Sequence, residues 1–219
     1  MAIVEGYQSI KLGKIMADAV TNEILHITRN GLHETHEAVI NAIKKIPGTT
    51  PIKILDVGCG AGLYRVVIGR AKFRRSVVYE GADFNGFMLG RACESFPETK
   101  FYMADARKLP FEADSYDVVL LGAILEHINE WQQALCEACR VAKDYLILHR
   151  LLLTLKNEPT RTEVQIAFAE PIWRVYINKQ DLLSELERHG FKPTGNGVFI
   201  DYDSKGGHGE QRTFLCKRK

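Results

Sequence analysis

The sequence predicts an α/β fold built on a doubly wound, mostly parallel sheet, and three observations carry that prediction. A short apolar run at residues 52–57 is followed directly by glycines and then by a helical pattern, which is the order of a buried strand, a tight turn and a helix. Strand-like and helix-like segments then alternate along the chain, as they do in proteins with parallel sheets. Two β-rich segments near the C-terminus flank a glycine-rich stretch, which indicates an antiparallel hairpin.

Composition and charge limit the kinds of partner that we expect. The chain has 219 residues, of which 46% are hydrophobic and 26% charged, as in a single globular domain. A net charge of +2 gives no basic footprint for nucleic acid.

Five cysteines, an odd number, predict reduced thiols and a cytoplasmic protein. There is no signal-peptide core, and the longest apolar run, residues 118–125, is too short to span a bilayer. We expect a small-molecule partner and no membrane partner, and the oligomeric state is left open.

Residues 1–50 predict a helical N-terminal cap. Apolar residues recur there at helical spacing in two stretches, separated by Gly31 and closed by a Pro-Gly pair. We expect the cap to pack over the sheet or its ligand crevice. His33 and His36 are three residues apart, with no further metal ligand nearby, so they predict a solvated helix face and no metal site.

Residues 51–150 form the predicted core, in which five strands are connected by helices on both faces of the sheet. The strands are predicted at residues 52–57, 77–83, 100–103, 117–122 and 145–148, and the helices at 63–71, 87–95 and 131–142.

Residues 151–178 interrupt the alternation of strands and helices. This stretch contains two prolines, Trp173 and Tyr176, and it is longer than a plain connection. We therefore predict an insertion over the mouth of the crevice. The single domain, residues 1–219, is completed by a predicted helix at 179–189 and predicted strands at 197–203 and 211–217.

Acidic residues stand at the predicted ends of the first three strands: Asp56, Asp83 and Asp105. Asp83 lies 21 residues after Gly62, where a carboxylate can accept hydrogen bonds from both ribose hydroxyls. Asp105 can accept from the exocyclic amine of adenine while the Ala106 N–H faces a ring nitrogen, and Asp56 can hold a ligand ammonium directly or through water. One acid at a strand end usually caps a helix or meets solvent. Three acids beside a glycine turn indicate a ligand.

Four segments resemble the motifs of one family. Carboxylates without Lys or Arg in the turn suit an adenosine with a cationic tail better than a pyrophosphate. Leu-Asp-Val-Gly-Cys-Gly-Ala-Gly is similar to the first motif of the class I S-adenosylmethionine-dependent methyltransferases, and Tyr-Glu-Gly-Ala-Asp to the end of their second strand. Ala-Asp-Ala-Arg-Lys-Leu-Pro-Phe resembles their adenine-binding segment. Tyr-Asp-Val-Val followed by Leu-Glu-His is similar to the fourth-strand pattern of their small-molecule branch.

The resemblance, which spans about residues 51–150, implies a Rossmann-like, seven-stranded sheet with an antiparallel last strand. It implies S-adenosylmethionine as cofactor and S-adenosylhomocysteine as product. Asp83 would bind ribose, Phe84 would pack on the adenine edge, and Tyr7 or a neighbour is a candidate to close over the cofactor. The implied cofactor-binding residues are Asp56, Gly58, Gly60, Gly62, Asp83, Phe84, Asp105, Ala106 and Gly122.

The acceptor side of the site is less well defined by the sequence. Because the sulfonium methyl group is already activated, alignment of the acceptor is the main task, worth roughly 7–11 kcal/mol. If the acceptor must lose a proton, His127 is the first candidate base because an unperturbed histidine titrates near neutrality, although a capping or packing role is the commoner one. His149 at the crevice edge is the second candidate. Trp173 and Tyr176 are candidates for an aromatic wall, and core packing explains them equally well.

The leading hypothesis is methyl transfer to an oxygen, nitrogen or carbon atom of a small molecule. The fourth strand lacks the Asn/Asp-Pro-Pro-aromatic tetrapeptide of many enzymes that methylate adenine or glutamine amines, which disfavours that substrate class. Three alternatives remain: a methyltransferase of RNA or protein, an NAD(P)-dependent dehydrogenase, and a non-catalytic cofactor-binding protein. The position of the third glycine, Asp105 and the C-terminal hairpin oppose the dehydrogenase.

Overall fold

The computed structural model describes residues 9–155, 158–167, 170–195, 198–200 and 209–219, and the prediction for Tyr7 lies outside these residues. The helices are α1 (Ile10–Asn30), α2 (Glu34–Lys45), α3 (Leu63–Gly69), α4 (Gly86–Ser95), α5 (Trp131–Val141) and α6 (Lys179–Arg188). The strands are β1 (Ile52–Val57), β2 (Val77–Asp83), β3 (Lys100–Met103), β4 (Tyr116–Gly122), β5 (Ala142–Leu153), β6 (Arg161–Ala167), β7 (Glu170–Tyr176), β8 (Phe191–Pro193), β9 (Val198–Ile200) and β10 (Glu210–Arg218).

The central sheet has the strand order β3-β2-β1-β4-β5-β10-β8, with β9 also pairing with β10. Strands β1 to β5 are parallel, whereas β10 is antiparallel to β5 and to both of its outer neighbours. This confirms the doubly wound, mostly parallel sheet with a path of seven strands and an antiparallel end. Strand β9 lies within the strand predicted at 197–203, whereas β8, which pairs with β10 directly after α6, was not predicted.

Apolar side chains on the two faces of the sheet form two separate cores. Alternate residues of β4 point to opposite faces, so Val118 and Leu120 join one apolar cluster while Val119 and Leu121 join the other. Helices α2 and α3 cover the first cluster, and α5 and α6 cover the second. A strand that is buried on both faces is a continuous apolar run, which is why the sequence predicts β1 and β4 well.

The N-terminal cap consists of α1 and α2, as predicted. Gly13 on α1 packs so closely against Asn85 that an added Cβ would lie 2.6 Å from its side-chain amide. The expectation of a solvated face was wrong for His36, which is 3% exposed. The His36 Nε2 lies 2.9 Å from Glu23 Oε1, so this histidine joins the two cap helices.

The segment after β5 forms a β-hairpin of β6 and β7. Strand β5 is longer than predicted, because it continues past His149 and Arg150 to Leu153. The hairpin packs against a 3-10 turn, Leu125–His127, which follows β4. In the described parts of the chain, no helix has both the length and the apolar character needed to cross a membrane.

Candidate functional site

The glycine turn after β1 is hydrogen-bonded to the end of β2. The N–H of Gly58 donates to the Ala82 carbonyl at 2.7 Å, and the N–H of Gly60 donates to Asp83 Oδ2 at 2.8 Å. The N–H of Asn85 donates to Asp83 Oδ1, also at 2.8 Å. The ends of the two strands therefore form one hydrogen-bonded unit at the carboxyl edge of the sheet, where ligands bind in open α/β sheets.

The three glycines of the turn have left-handed backbone conformations. Their φ angles are +76° at Gly58, +53° at Gly60 and +89° at Gly62, a region that other residues rarely adopt. There is also no room for a side chain at Gly58, because an added Cβ would lie 2.3 Å from Ile124. The sequence prediction that this turn requires glycine is consistent with both observations.

Asp83 can accept further hydrogen bonds. Its carboxylate is buried but has four lone-pair sites; the Gly60 and Asn85 N–H groups donate to it, and the Phe84 N–H also contributes. Burial raises the pKa of Asp83, and the backbone N–H groups act against that rise. The neighbouring Phe84 is 39% exposed. A groove beside Asp83 is lined by Ile10, Phe84, Asn85, Gly86 and Phe87.

Asp56 lies beneath the turn and has no exposed surface. The Tyr79 hydroxyl donates to its Oδ2 at 2.5 Å, and its Oδ1 has no hydrogen-bond partner among the described residues. Burial, opposed by the Tyr79 bond and aided by the charge of Asp83, raises the pKa of Asp56 to about 7. Complete burial favours an indirect over a direct contact with a ligand ammonium, and this role stays a prediction.

Asp105 follows β3 and is partly exposed. Its Oδ1 accepts from the Arg107 N–H at 2.8 Å, and its Oδ2 accepts from the Arg107 guanidinium at 2.7 Å. These hydrogen bonds lower the pKa of the Asp105 carboxyl. Ala106 is 5% exposed. The structure thus adds Arg107 as a partner of Asp105, and adenine recognition by Asp105 and Ala106 stays a prediction.

Gly122 at the end of β4 lies directly against Tyr64 of α3. A Cβ at Gly122 would be 2.3 Å from the Tyr64 ring. The Tyr64 side chain is buried, and its hydroxyl has no hydrogen-bond partner within the described ranges. Tyr64 was not predicted from the sequence, because only the folded chain brings the first turn of α3 against β4.

His127 is held by groups that fix its protonation state. Its Nδ1 lies 3.2 Å from the Trp173 carbonyl, and its Nε2 lies 3.3 Å from Arg174 Nη1. Because a carbonyl only accepts and a guanidinium only donates, the hydrogen bonds assign a neutral ring protonated at Nδ1. Burial and the charge of Arg174 lower the pKa of His127 to about 3. The predicted role of base is untested, and these contacts favour a role in attaching the hairpin.

Glu126, the neighbour of His127, is an acid that was not selected from the sequence. Its Oε1 lies 3.6 Å from Arg174 Nη1 and 3.9 Å from His127 Nε2. Its Oε2 is buried without a hydrogen-bond partner in the described part of the chain. Burial, only partly offset by the charges of Arg174 and Arg150, raises the pKa of Glu126 to about 7.

His149 is buried, with 1% of its surface exposed. Its role beside the acceptor stays a prediction. Its Nδ1 lies 2.8 Å from Thr213 Oγ1, and its ring meets the Tyr64 ring edge-on at a centroid distance of 5.5 Å. Its Nε2 has no hydrogen-bond partner among the residues described. Burial and the charge of Arg150 lower the pKa of His149 to about 3.

Trp173 and Tyr176 cannot form one aromatic wall. They are three residues apart on β7, and side chains at odd spacing point to opposite faces of a strand. The Tyr176 hydroxyl accepts from Gln165 Nε2 at 2.9 Å, and the Arg161 guanidinium stacks over its ring. Tyr176 thus stabilises the hairpin itself, which corrects the joint role predicted for the two residues.

The strand order, the glycine turn and the strand-end acids together define the class I methyltransferase fold. A sequence model of the methyltransferase domain family matches residues 55–147. Over residues 55–147 the chain is therefore similar to the methyltransferase domain family, and its fold is that of the class I S-adenosylmethionine-dependent methyltransferases. The cofactor of this family is S-adenosylmethionine, and the Asp83 carboxylate and the glycine turn fit its ribose and its cationic tail.

Comparison with known proteins identifies small-molecule methyltransferases among the relatives. The chain is 32% identical over 135 residues to the ubiquinone/menaquinone biosynthesis C-methyltransferase UbiE of Rhizobium johnstonii, a match covering 57% of this chain and 49% of UbiE. The chain thus spans about half the length of the curated relatives it matches.

Two solved structures are similar in fold. Magnesium protoporphyrin IX methyltransferase (ChlM) from Synechocystis PCC 6803, solved with bound SAM, has a TM-score of 0.55 and 17% identity, covering 100% of this chain and 85% of ChlM. The [4+2]-cyclase SpnF has a TM-score of 0.64 and 15% identity, covering 84% of this chain and 81% of SpnF. At such identities the likeness shows the fold alone, and the name of SpnF illustrates that the fold does not decide the reaction.

Proposed function

We propose that this chain transfers a methyl group from S-adenosylmethionine to an oxygen, nitrogen or carbon atom of a small molecule by in-line displacement. The observation that carries the proposal is the hydrogen-bonded unit of the glycine turn and Asp83. It puts bare main chain and a carboxylate with free lone pairs at the same edge of the sheet. The names of the relatives support a small-molecule acceptor.

In this proposal the strand-end residues bind the cofactor, which supplies an activated methyl group on a sulfonium. Asp83 accepts from the ribose hydroxyls, and Phe84 packs against adenine in the neighbouring groove. Asp105 and Ala106 contact the adenine edge. Asp56 and the main chain at Gly58, Gly60, Gly62 and Gly122 surround the methionine part. An anionic rim favours a cationic ligand by charge complementarity.

The remaining elements position the acceptor and exclude water, which is the main catalytic requirement when the methyl group is already activated. The α1–α2 cap and the β6–β7 hairpin flank the cofactor edge and belong to the same proposed site. His127, His149 and Trp173 remain proposed acceptor-side residues. We keep a cytoplasmic setting as part of the proposal, on the odd number of cysteines in the sequence.

The cofactor assignment is tested by calorimetry with S-adenosylhomocysteine. Asp83→Ala removes hydrogen bonds from a charged acceptor, so we expect affinity to fall about tenfold or more. Asp144→Ala, an exposed carboxylate on β5, serves as the matched control and leaves the affinity unchanged. Unchanged binding by Asp83→Ala contradicts the ribose assignment.

The reaction is tested in two further measurements. A thermal-shift assay is expected to show stabilisation by S-adenosylmethionine and none by NAD, because a ligand that binds the native state raises its stability. Transfer of a labelled methyl group is then measured on a panel of small molecules, an RNA and a protein mixture. Cofactor binding without transfer to any of them supports the non-catalytic alternative, and transfer to the macromolecules alone contradicts a small-molecule acceptor.

A further inference from the structure

A β-bulge redirects the chain within β5, at His149 and Arg150. In the ladder with β10, Leu148 pairs with Phe214 and Leu151 pairs with Arg212. His149 and Arg150 therefore stand opposite a single residue, Thr213. Bulges of this kind reorient a side chain and are common beside active sites.

The bulge places Arg150 in a strained backbone conformation. Its φ angle is +55°, and Ala123 at the end of the neighbouring strand β4 has the same value. The Ala123 N–H donates to the His149 carbonyl at 2.8 Å, which connects the two strained positions. A left-handed conformation is unfavourable for a non-glycine residue. One of these positions follows the end of β4 and the other lies at the bulge in β5, and together they mark this edge of the sheet as a place where side-chain direction matters.

Buried polar atoms without partners surround this bulge. The Tyr64 hydroxyl, Glu126 Oε2 and His149 Nε2 come from α3, the turn after β4 and β5. Each side chain is more than nine-tenths buried, and none of these atoms has a hydrogen-bond partner in the described residues. We call these three residues and Arg150 the polar cluster. An unsatisfied buried polar group is destabilising, so three in one place require an explanation.

Arg150 is the cationic member of the polar cluster and its most accessible side chain. It is half-buried, and its charge contributes to the pKa values of Tyr64, Glu126 and His149. The nearby acids have other partners: Glu23 bonds to His36, and Glu126 Oε1 faces Arg174. Within the described residues, the Arg150 guanidinium forms no ion pair or hydrogen bond with another side chain.

We propose that the polar cluster binds a singly charged oxygen group of the methyl acceptor, a carboxylate or phenolate, with Arg150 as its ion-pair partner. A guanidinium presents a fork of donors that matches such a group, and the Tyr64 hydroxyl adds a further donor. A doubly charged phosphate fits less well, because only one guanidinium is available and Glu126 lies beside it. This inference rests on the proposed function and names its acceptor class.

The test separates the acceptor from the cofactor, whose own carboxylate is the other source of the same chemistry. Wild-type protein, Arg150→Met and the exposed control Arg74→Met are first titrated with S-adenosylhomocysteine. Protein saturated with that product is then screened against matched pairs of probes: benzoate with benzamide, 4-hydroxybenzoate with 4-hydroxybenzamide, and nitrophenol with nitroanisole.

We expect at least one charged probe to bind the wild type about tenfold more tightly than its neutral partner, a difference of about 1.4 kcal/mol. Arg150→Met is expected to abolish this preference while affinity for S-adenosylhomocysteine changes less than about twofold. Arg150→Gly guards against misfolding, because glycine accepts the left-handed backbone. It is expected to lose the preference and to keep its thermal midpoint.

Three outcomes overturn the inference. One is a wild type that prefers no charged probe, and another is a preference that survives in Arg150→Met and Arg150→Gly. The third is a loss of product binding in both Arg150 variants, which assigns Arg150 to the cofactor. Failure of the proposed function is distinguishable, because the wild type itself then fails to bind S-adenosylhomocysteine.

Discussion

Glu126 is the buried acid whose protonation we expect to have the clearest effect on folding. Its pKa is raised from 4.5 to about 7 by burial, so the folded state holds the proton more tightly than the unfolded state. The corresponding stability is fully present below pH 4.5 and is lost as the pH rises toward 7.

Glu126→Gln removes this loss, because glutamine has no proton to release and keeps an oxygen for Arg174. Urea unfolding at pH 8 is expected to show the variant more stable than the wild type by roughly 1–3 kcal/mol, with a smaller difference at pH 5. Asp56 has a pKa shifted in the same direction. Because Asp56 is present in both proteins, its contribution to the pH dependence of stability cancels in the comparison. The exposed Glu112→Gln is the control. If the gain in the free energy of unfolding of Glu126→Gln over wild type is smaller at pH 8 than at pH 5, the assignment is contradicted.

His127 can be tested by amide substitutions that imitate one ring nitrogen at a time. Asparagine places a donor near the position of Nδ1 and preserves the bond to the Trp173 carbonyl, whereas glutamine reaches the position of Nε2. We expect His127→Asn to keep its thermal stability and its rate of methyl transfer. His127→Gln should lose roughly 1–3 kcal/mol of stability, because a buried carbonyl loses its partner. If the ring is the general base, both variants instead lose about 10²–10⁴-fold in rate.

The sequence predicted which residues come together where they are close along the chain. Asp83 and the glycine turn lie within about 25 residues of each other, and the structure joins them through the Gly60 N–H. Tyr64, Glu126 and Arg174 were not predicted, because three separate elements bring them to one edge. A signal was present for Glu126, since it lies in the mostly apolar stretch Ala-Ile-Leu-Glu-His-Ile that follows a buried strand.

At the scale of elements, the contact between β4 and α3 limits what can stand at Gly122. An alanine Cβ would overlap the Tyr64 ring at 2.3 Å, so Gly122→Ala is expected to cost about 1–3 kcal/mol in urea unfolding.

Two second substitutions determine whether Tyr64 causes that cost. In the Tyr64→Leu background the ring is absent, so adding Gly122→Ala is expected to cost little stability compared with Tyr64→Leu alone. In the Tyr64→Phe background the ring remains, so adding Gly122→Ala should cost as much as it does in the wild type. Equal behaviour of the two double variants means that the clash does not account for the loss.

Strand boundaries were predicted less well than strand positions. His149 and Arg150 interrupt the apolar run of β5, so the sequence predicted that the strand ends at residue 148. In the structure these two residues form a β-bulge, and the strand continues beyond them. Strand β8 has only three residues, too few for a periodic pattern. The sequence predicted the β6–β7 segment only as an insertion, without its two strands. Some apolar residues of this hairpin are exposed, including Ile166 at 73%. Which of its residues are buried depends on neighbouring elements, so the sequence alone does not reveal the pattern.

At the scale of the whole molecule, α1 connects the parts of the proposed site. Near its start, Ile10 lines the groove beside Phe84, and Lys11 pairs with Glu170 of the hairpin. Gly13 packs on Asn85, which follows the predicted ribose acid, and Glu23 joins the helix to α2. A ligand that orders the cofactor groove is therefore expected to stabilise α1 along with it.

Hydrogen exchange measures this connection. S-adenosylhomocysteine is expected to slow amide exchange at least about threefold in α1 and α4, because binding lowers the population of locally open states. Helix α6, on the opposite side of the sheet from the cap, is the internal control. Gly13→Ala moves α1 away from Asn85 and should reduce the protection of α1 while that of α4 remains, whereas the exposed Thr28→Ala on the same helix should not. If the ligand slows exchange in α4 but not in α1, the cap opens independently of the cofactor groove, and acceptor access is then controlled by the hairpin alone.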